Sequence, residues 1–153
     1  MSRLIRNLSL LIIGAAFTLS SSVAFASLNS KLHMASRNGE SRKITLLIKK
    51  GAKINHKDTS GQTAIMTAAS FGHTDAVKVL LGKGAMINIE STLGDTALIL
   101  AVKSGNIETV KALIDAGADV NQKDANDSGP LMWAVEEAFD SIVQLLKDSG
   151  ADW

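Results

Sequence analysis

The chain contains no cysteine and no tyrosine, and it has one proline, four phenylalanines and two tryptophans among its 153 residues. Without cysteine there can be no disulfide scaffold, no thiolate zinc site and no cysteine nucleophile. So few aromatic side chains argue against a platform on which nucleic-acid bases stack. Hydrophobic residues make up 46% and charged residues 20% of the sequence, a balance typical of a globular protein. This length predicts one domain, with or without a processed segment.

Residues 1–26 have the pattern of a secretory signal peptide. Two arginines precede a mainly apolar run over residues 8–19, and small residues follow at Ala24 and Ala26. The run of twelve residues is shorter than the ~20 that a membrane-spanning helix needs. We expect cleavage after Ala26, no stable membrane insertion of the mature protein, and a periplasmic or extracellular location.

The remaining sequence, residues 27–153, repeats with a period of 33 residues. Glycine followed by alanine recurs at this spacing, and columns of asparagine, of a second glycine and of a second alanine keep the same register without a gap. These columns are Gly51, Gly84, Gly117 and Gly150; Asn55, Asn88 and Asn121; Gly39, Gly72 and Gly105; and Ala35, Ala68, Ala101 and Ala134. A fixed period of this length predicts stacked structural units.

Each unit has the pattern of two helices joined by a glycine turn and followed by a polar link. Val77, Leu80 and Leu81 are spaced i, i+3 and i+4 and predict one apolar face of the second helix. Gly72 lies where the chain reverses between the helices, so we expect it to adopt a left-handed backbone conformation. The sequence therefore predicts an all-α solenoid with units at about residues 27–57, 58–90, 91–123 and 124–153.

These units resemble the ankyrin repeat, a unit of about 33 residues with the signature T-P-L-H-x-A. The signature positions are Thr63-Ala64-Ile65-Met66 in the second unit and Gly129-Pro130-Leu131-Met132 in the fourth. The resemblance implies about four stacked ankyrin repeats, each a helix-turn-helix with an extended link or hairpin. The fourth unit departs from the pattern, because Asp127 replaces the glycine that opens the unit and Ala138 replaces the glycine between the helices. We expect the substitution at Ala138 either to strain or to loosen that turn.

Two lysines mark the ends of the predicted stack. Lys43 stands where two later units have Ala76 and Ile142, and Lys147 stands where earlier units have Leu81 and Ile114. Because a terminal repeat has only one neighbour, its outer side needs polar side chains. We expect both lysines to face outward and four repeats to form the whole array.

The histidines and one acidic segment are the candidates for chemistry. His33 occupies the signature histidine column, His73 begins a helix and His56 lies in a link, with no paired metal-binding motif. Residues 124–129 begin like a calcium-binding loop, but the twelfth position is Val135 instead of the glutamate that completes the coordination shell. We expect no enzyme activity, no cofactor and no metal site; a calcium-binding or hydrolytic role for the acidic C-terminal unit is the alternative.

The two ends of the repeat region carry opposite charges. Residues 27–57 have eight basic side chains and one acidic, a net charge of +7, and residues 124–153 have seven acidic and one basic, a net charge of −6. This asymmetry either steers a bipolar or acidic partner to the protein or keeps an elongated repeat soluble. It also permits head-to-tail assembly, although we expect a monomer. The acidic half and the export signal disfavour nucleic acid as a partner.

The resemblance implies a non-enzymatic module that binds another protein, here as an accessory or inhibitory partner of an exported or envelope protein. Its binding surface comprises the links and the first helix of each unit. Carried over by column, the candidate contact residues are Lys57, Thr59, Ser60, Gln62, Ser70, Phe71, Glu90, Thr92, Leu93, Asp95, Lys103, Ser104, Lys123, Ala125, Asn126, Glu136 and Glu137. We expect Phe71 and Leu93 to be anchors, since burying a large apolar side chain contributes ~1.5 to 3 kcal/mol; the alternative is that each packs on its own neighbour.

Overall fold

The structure is a computed structural model that describes residues 23–24 and 26–153. Nearly all of the predicted signal peptide, residues 1–26, lies outside these residues. Helix α1 includes residues 26–37. The helices that follow are α2 (Ser41–Lys49), α3 (Ala64–Ser70), α4 (Thr74–Gly82), α5 (Ala97–Lys103), α6 (Ile107–Asp115), α7 (Pro130–Glu136) and α8 (Asp140–Asp148). Residues 26–153 contain no strand.

The helices form two layers. The first helices of successive pairs pack on each other, α3 against α5 and α5 against α7. The second helices do the same, α2 against α4, α4 against α6 and α6 against α8. Equivalent helices begin 33 residues apart, as at Ala64, Ala97 and Pro130. The predicted all-α solenoid is therefore confirmed. In the part of the chain that the structure describes, no helix is long and apolar enough to cross a membrane.

The repeated apolar columns form one continuous core. The alanine column from Ala35 to Ala134 has no exposed surface and lies in the first-helix layer, where small side chains let neighbouring helices approach closely. In the second-helix layer Leu80 and Leu113 are completely buried. An inner repeat buries both of its faces against neighbours, so most of the stability of the fold depends on stacking.

Two structural features favour glycine at the positions between paired helices. Gly72 and Gly105 have φ angles of +66° and +70°, in the left-handed region predicted for them. A Cβ atom at Gly105 would also lie 2.8 Å from the ring of Phe139, in the next repeat. Ala138 has the same left-handed backbone, with φ of +56°, although it carries a Cβ. No described repeat packs beyond it, so only the backbone strain remains there.

The asparagine column connects successive repeats. Each of its side chains accepts a hydrogen bond from a backbone N–H of the following repeat. The pairs are Asn55 with Met86 (2.9 Å), Asn88 with Asp119 (3.0 Å) and Asn121 with Asp152 (2.9 Å). The periodicity of the sequence shows that these positions are equivalent, and the structure shows that the shared feature is an interaction between repeats.

The two end lysines are exposed, as predicted for outward-facing positions. Lys43 forms an ion pair with Glu40 at 2.7 Å, and Lys147 Nζ lies 5.9 Å from the centre of the Trp153 ring. Equivalent apolar residues also differ in burial between the second repeat, which has a described neighbour on each side, and the fourth, which has one. Met132 is 41% exposed, whereas Met66 in the same column is 1% exposed.

Candidate functional site

A groove of about 780 Å³ lies between α1 and the link that precedes α3. We call it the N-terminal groove. Helix α1 contributes Ser30, His33, Met34 and Arg37; the link contributes residues 56–60 and Gln62; and α3 with its C-terminal end contributes Thr67 and Phe71. These helix residues share one face, because positions 30, 33, 34 and 37 are separated by three, four and seven residues. Five of the predicted contact residues line this groove: Lys57, Thr59, Ser60, Gln62 and Phe71.

Phe71 contacts two neighbouring side chains and is otherwise exposed to solvent. Its ring stacks on the imidazole of His73 with a centroid distance of 6.3 Å and an angle of 12°. The guanidinium of Arg37 lies 5.0 Å from the ring centre, within the range of a cation–π interaction. Even so, 49% of Phe71 remains exposed. Phe71 therefore packs on its neighbours and still presents apolar surface to the groove.

The floor of the groove is formed by His33 and Asp58. Burial lowers the pKa of His33, although the hydrogen bond to the His56 carbonyl (3.1 Å) and the nearby carboxylate of Asp58 (4.0 Å) act in the opposite direction. Burial alone would raise the pKa of Asp58, but hydrogen bonds from Ser60 and from the backbone N–H of Gln62 lower it below its usual range. The floor thus favours a neutral imidazole beside an ionised carboxylate that is already hydrogen-bonded.

Seven of the twelve residues that line the groove were not among the predicted contact residues, which begin at Lys57. Among these seven, Met34 and Arg37 add apolar surface and positive charge. Met34 is 58% exposed on α1, and Arg37 is exposed on the same face. The available signal was an apolar side chain one position before the buried alanine column, at Met34, followed three residues later by a cation. Such a pattern identifies a helix face that is not part of the core.

Between the third and fourth repeats, the corresponding surface is occupied by a largely buried ionic cluster. Lys103 Nζ lies 2.7 Å from Asp95 Oδ1 and 3.7 Å from Asp124 Oδ2. The same Nζ lies 3.8 Å from the centre of the Trp133 ring, whose Nε1–H donates to Asp124 Oδ2 at 2.9 Å. Asp95 is only 6% exposed. The sequence analysis predicted Asp95 as a contact residue; in the structure its carboxylate is almost completely buried and is paired with Lys103.

The acidic segment that begins like a calcium loop is a hydrogen-bonded turn. Asp124 Oδ1 accepts hydrogen bonds from the backbone N–H groups of Asn126 (2.8 Å) and Ser128 (3.1 Å). Burial would raise the pKa of Asp124, but these bonds, the Trp133 indole and the charge of Lys103 together lower it. Among the residues that the structure describes, no group of three or more His, Asp or Glu side chains is arranged to hold a metal ion.

The remaining predicted contact residues differ in their exposure and in whether they bond to other groups of the protein. Leu93 is 67% exposed at the tip of its link, next to Thr92, whose N–H and hydroxyl both donate to the Ser60 carbonyl. Asn126, Glu136 and Glu137 are exposed. The others form hydrogen bonds or ion pairs within the protein: Ser70 with Thr67, Glu90 with Gln122, Ser104 with Ala101, Lys123 with Asp127, and the Ala125 backbone with Leu93.

The comparisons with known proteins agree with this architecture. A family model described as ankyrin repeats (3 copies) matches residues 32–124 and 94–153. The chain belongs to the ankyrin repeat family. Proteins of this family typically use the repeats for protein–protein interaction.

Two curated relatives of the ankyrin repeat protein come from plants. One is the E3 ubiquitin-protein ligase XBAT33 of Arabidopsis thaliana, 43% identical over 49 residues, and the other is the Probable E3 ubiquitin-protein ligase XBOS33 of Oryza sativa subsp. japonica, 47% identical over 49 residues. The similarity covers 32% of this chain but only 10% and 9% of the two relatives. It therefore concerns a short repeat segment of much longer proteins.

Proposed function

We propose that this ankyrin repeat protein is an exported, non-enzymatic module that binds another protein and acts as an accessory or inhibitory partner of an exported or envelope protein. One observation carries the binding proposal: Phe71 and Leu93 keep 49% and 67% of their surface exposed on the side of the first helices and links. Exposed aromatic and aliphatic side chains on a rigid scaffold are common anchors of protein interfaces.

The rigidity of the surface supports the same proposal. The Leu93 link is held to its neighbours by backbone hydrogen bonds, from Thr92 N–H to the Ser60 carbonyl (3.1 Å) and from Ala125 N–H to the Leu93 carbonyl (3.0 Å). Phe71 is oriented by Arg37 and His73. Side chains that are already positioned lose little conformational entropy on association, so more of the interaction energy is retained as affinity.

Affinity capture from the native envelope fraction tests the binding surface. The baits are the wild-type protein, a Phe71→Ala, Leu93→Ala variant and a Leu46→Ala control. Leu46 is a matched control because it is 50% exposed but lies on α2, in the second-helix layer. The proposal expects one or more proteins to be recovered by the wild type and the control and lost from the double variant. Equal recovery by all three baits would contradict this surface.

The export part of the proposal rests on the pattern of residues 1–26, with its basic start, apolar run and small residues before Ser27. Expression of the full chain in a bacterial host and mass spectrometry of the protein from the extracytoplasmic fraction test it. The expected product begins at Ser27. A product that retains residues 1–26 and stays with the cytoplasmic fraction would contradict export.

A further inference from the structure

We infer that the N-terminal groove binds an acidic segment of the partner protein, in which a carboxylate lies beside a large apolar side chain. This inference rests on the proposed function, because it names the chemistry of the partner at one part of the same surface. It depends on three features of the groove: free cations, apolar surface next to them, and a strongly basic surrounding repeat.

The cations of the groove are not neutralised by the protein itself. In the part of the chain that the structure describes, neither Arg37 nor Lys57 forms an ion pair. The Arg37 guanidinium is nevertheless oriented, because it lies over the Phe71 ring at 5.0 Å from the ring centre. A guanidinium that is oriented and unpaired is suited to bind a carboxylate through two parallel hydrogen bonds.

Apolar surface lies directly beside these cations. Met34 is 58% exposed and Phe71 is 49% exposed, and both line the groove with Arg37. A partner side chain placed on Met34 and Phe71 would bury apolar area while a neighbouring carboxylate reaches the guanidinium. Since methionine adapts its shape readily, this surface fits a range of aliphatic or aromatic side chains.

The charge of the surroundings selects the sign of the partner. The repeat that forms one wall of the groove has a net charge of +7 over residues 27–57. The Asp58 carboxylate on the floor is already hydrogen-bonded by Ser60 and Gln62, which reduces its effect on a ligand. In the third repeat the corresponding surface has no such free cation, since Lys103 is paired with Asp95 and Asp124. The N-terminal groove is therefore the place where an acidic segment is favoured.

Selection of a random dodecapeptide display library on the wild-type protein tests the inference. Acidic residues next to Leu, Phe or other large apolar residues should be enriched among the selected peptides. One selected peptide, synthesised with a fluorophore, is then titrated by fluorescence anisotropy at low and high salt. Binding should weaken as salt screens the ionic contacts. Selection of basic peptides, or of no peptide at all, would overturn the inference.

Two charge-removing variants identify the site. Arg37→Gln should raise the Kd of the selected peptide by about tenfold, because it removes a charge-assisted carboxylate contact. Lys111→Gln removes an exposed cation from α6 on the second-helix layer and should change the Kd by less than about twofold. Circular dichroism checks that both variants are folded. An equal effect of the two substitutions would assign the acidic preference to overall charge and overturn the groove as its site.

Light scattering separates this inference from self-association. If the acidic fourth repeat of another copy occupies the groove, the wild-type protein will form oligomers at low salt and the Arg37→Gln variant will not. That result would overturn the inference that the acidic segment belongs to a different protein. Failure of the acidic-segment inference is distinct from failure of the proposed function. A partner captured through Phe71 and Leu93 that binds equally well to Arg37→Gln would overturn only the former.

Discussion

Lys103 Nζ and Asp95 Oδ1 are separated by 2.7 Å, and the same ammonium lies 3.7 Å from Asp124 Oδ2. One cation therefore compensates two carboxylates, one from the third repeat and one from the link to the fourth. Because the Asp95 and Asp124 side chains are almost completely buried, neither can be hydrated as in the unfolded chain. Lys103 thus connects the third repeat to the first residue of the fourth.

Removal of the Lys103 charge should destabilise the protein. Lys103→Met keeps most of the hydrocarbon chain above Trp133 but leaves two buried carboxylates without their cation. We expect the free energy of unfolding to fall by about 2 kcal/mol, less than for a fully buried pair because Lys103 is partly exposed. Urea denaturation followed by circular dichroism measures the change. Lys123→Met is the control, and its exposed pair with Asp127 should be worth less than about 0.5 kcal/mol. Equal losses would refute the role of burial.

The strained turn in the fourth repeat predicts a stabilising substitution. Ala138 has a φ of +56°, a region in which a Cβ costs roughly 1–2 kcal/mol. Ala138→Gly should therefore raise the free energy of unfolding by about 1 kcal/mol, since the greater freedom of glycine in the unfolded chain offsets part of the gain. Ala116→Gly is the matched control, because Ala116 directly follows α6 and has a φ of −88°. It should be neutral or destabilising, and stabilisation by both substitutions would argue against strain at position 138.

The close approach of successive repeats predicts unequal costs for two glycine substitutions. Gly94 and Gly117 both have positive φ, +75° and +88°, so alanine at either position carries a similar backbone strain. A Cβ at Gly94 would lie 2.6 Å from the backbone nitrogen of Ala125, whereas a Cβ at Gly117 would meet nothing within 4 Å. Gly94→Ala should cost roughly 1–3 kcal/mol more than Gly117→Ala in thermal or urea unfolding. Similar costs would show that the link moves to accept the methyl group.

The lowered pKa of His33 predicts a loss of stability on acidification. The unfolded state binds a proton at the ordinary pKa of 6.5, while burial opposes protonation of His33 in the folded state. The stability contributed by the neutral imidazole is therefore present above pH 6.5 and is lost as the pH falls toward the pKa of the folded protein. The free energy of unfolding should decrease between pH 7 and pH 5, and His33→Gln should reduce the slope. The same slope in the variant would assign the effect to other groups.

The inter-repeat asparagines predict that removing one of their side chains lowers the free energy of unfolding of the stack. Asn88→Ala removes the acceptor for the backbone N–H of Asp119, which lies 3.0 Å from Asn88 Oδ1. Since Asp119 is an exposed residue, we expect a cost of about 1 kcal/mol rather than the larger cost of an orphaned buried group. Asn126→Ala is a suitable control because Asn126 is exposed and lies outside this column. Urea denaturation of both variants tests the difference.

The repeat architecture was predictable from the sequence because it depends on local and periodic features. The apolar columns, such as the one from Ala35 to Ala134, identify helix faces, and the glycines at positions 72 and 105 identify left-handed turns. Each repeat supplies the same residue types at the same positions, so stacking follows from one unit. The exposure of Phe71 and Leu93 also followed from their columns, since neighbouring core positions were already assigned.

The sequence by itself determined which sides of the chain are buried in a stack and where the chain turns. Only the tertiary structure decided which polar side chains remain free on the surface. Asp95 and Lys103 neutralise each other, and Arg37 lies over Phe71 without a carboxylate partner. The physical reason is that ion pairs and cation–π contacts depend on distances of about 3–6 Å between side chains from different helices and links. A residue column shows which positions are equivalent but does not give those distances.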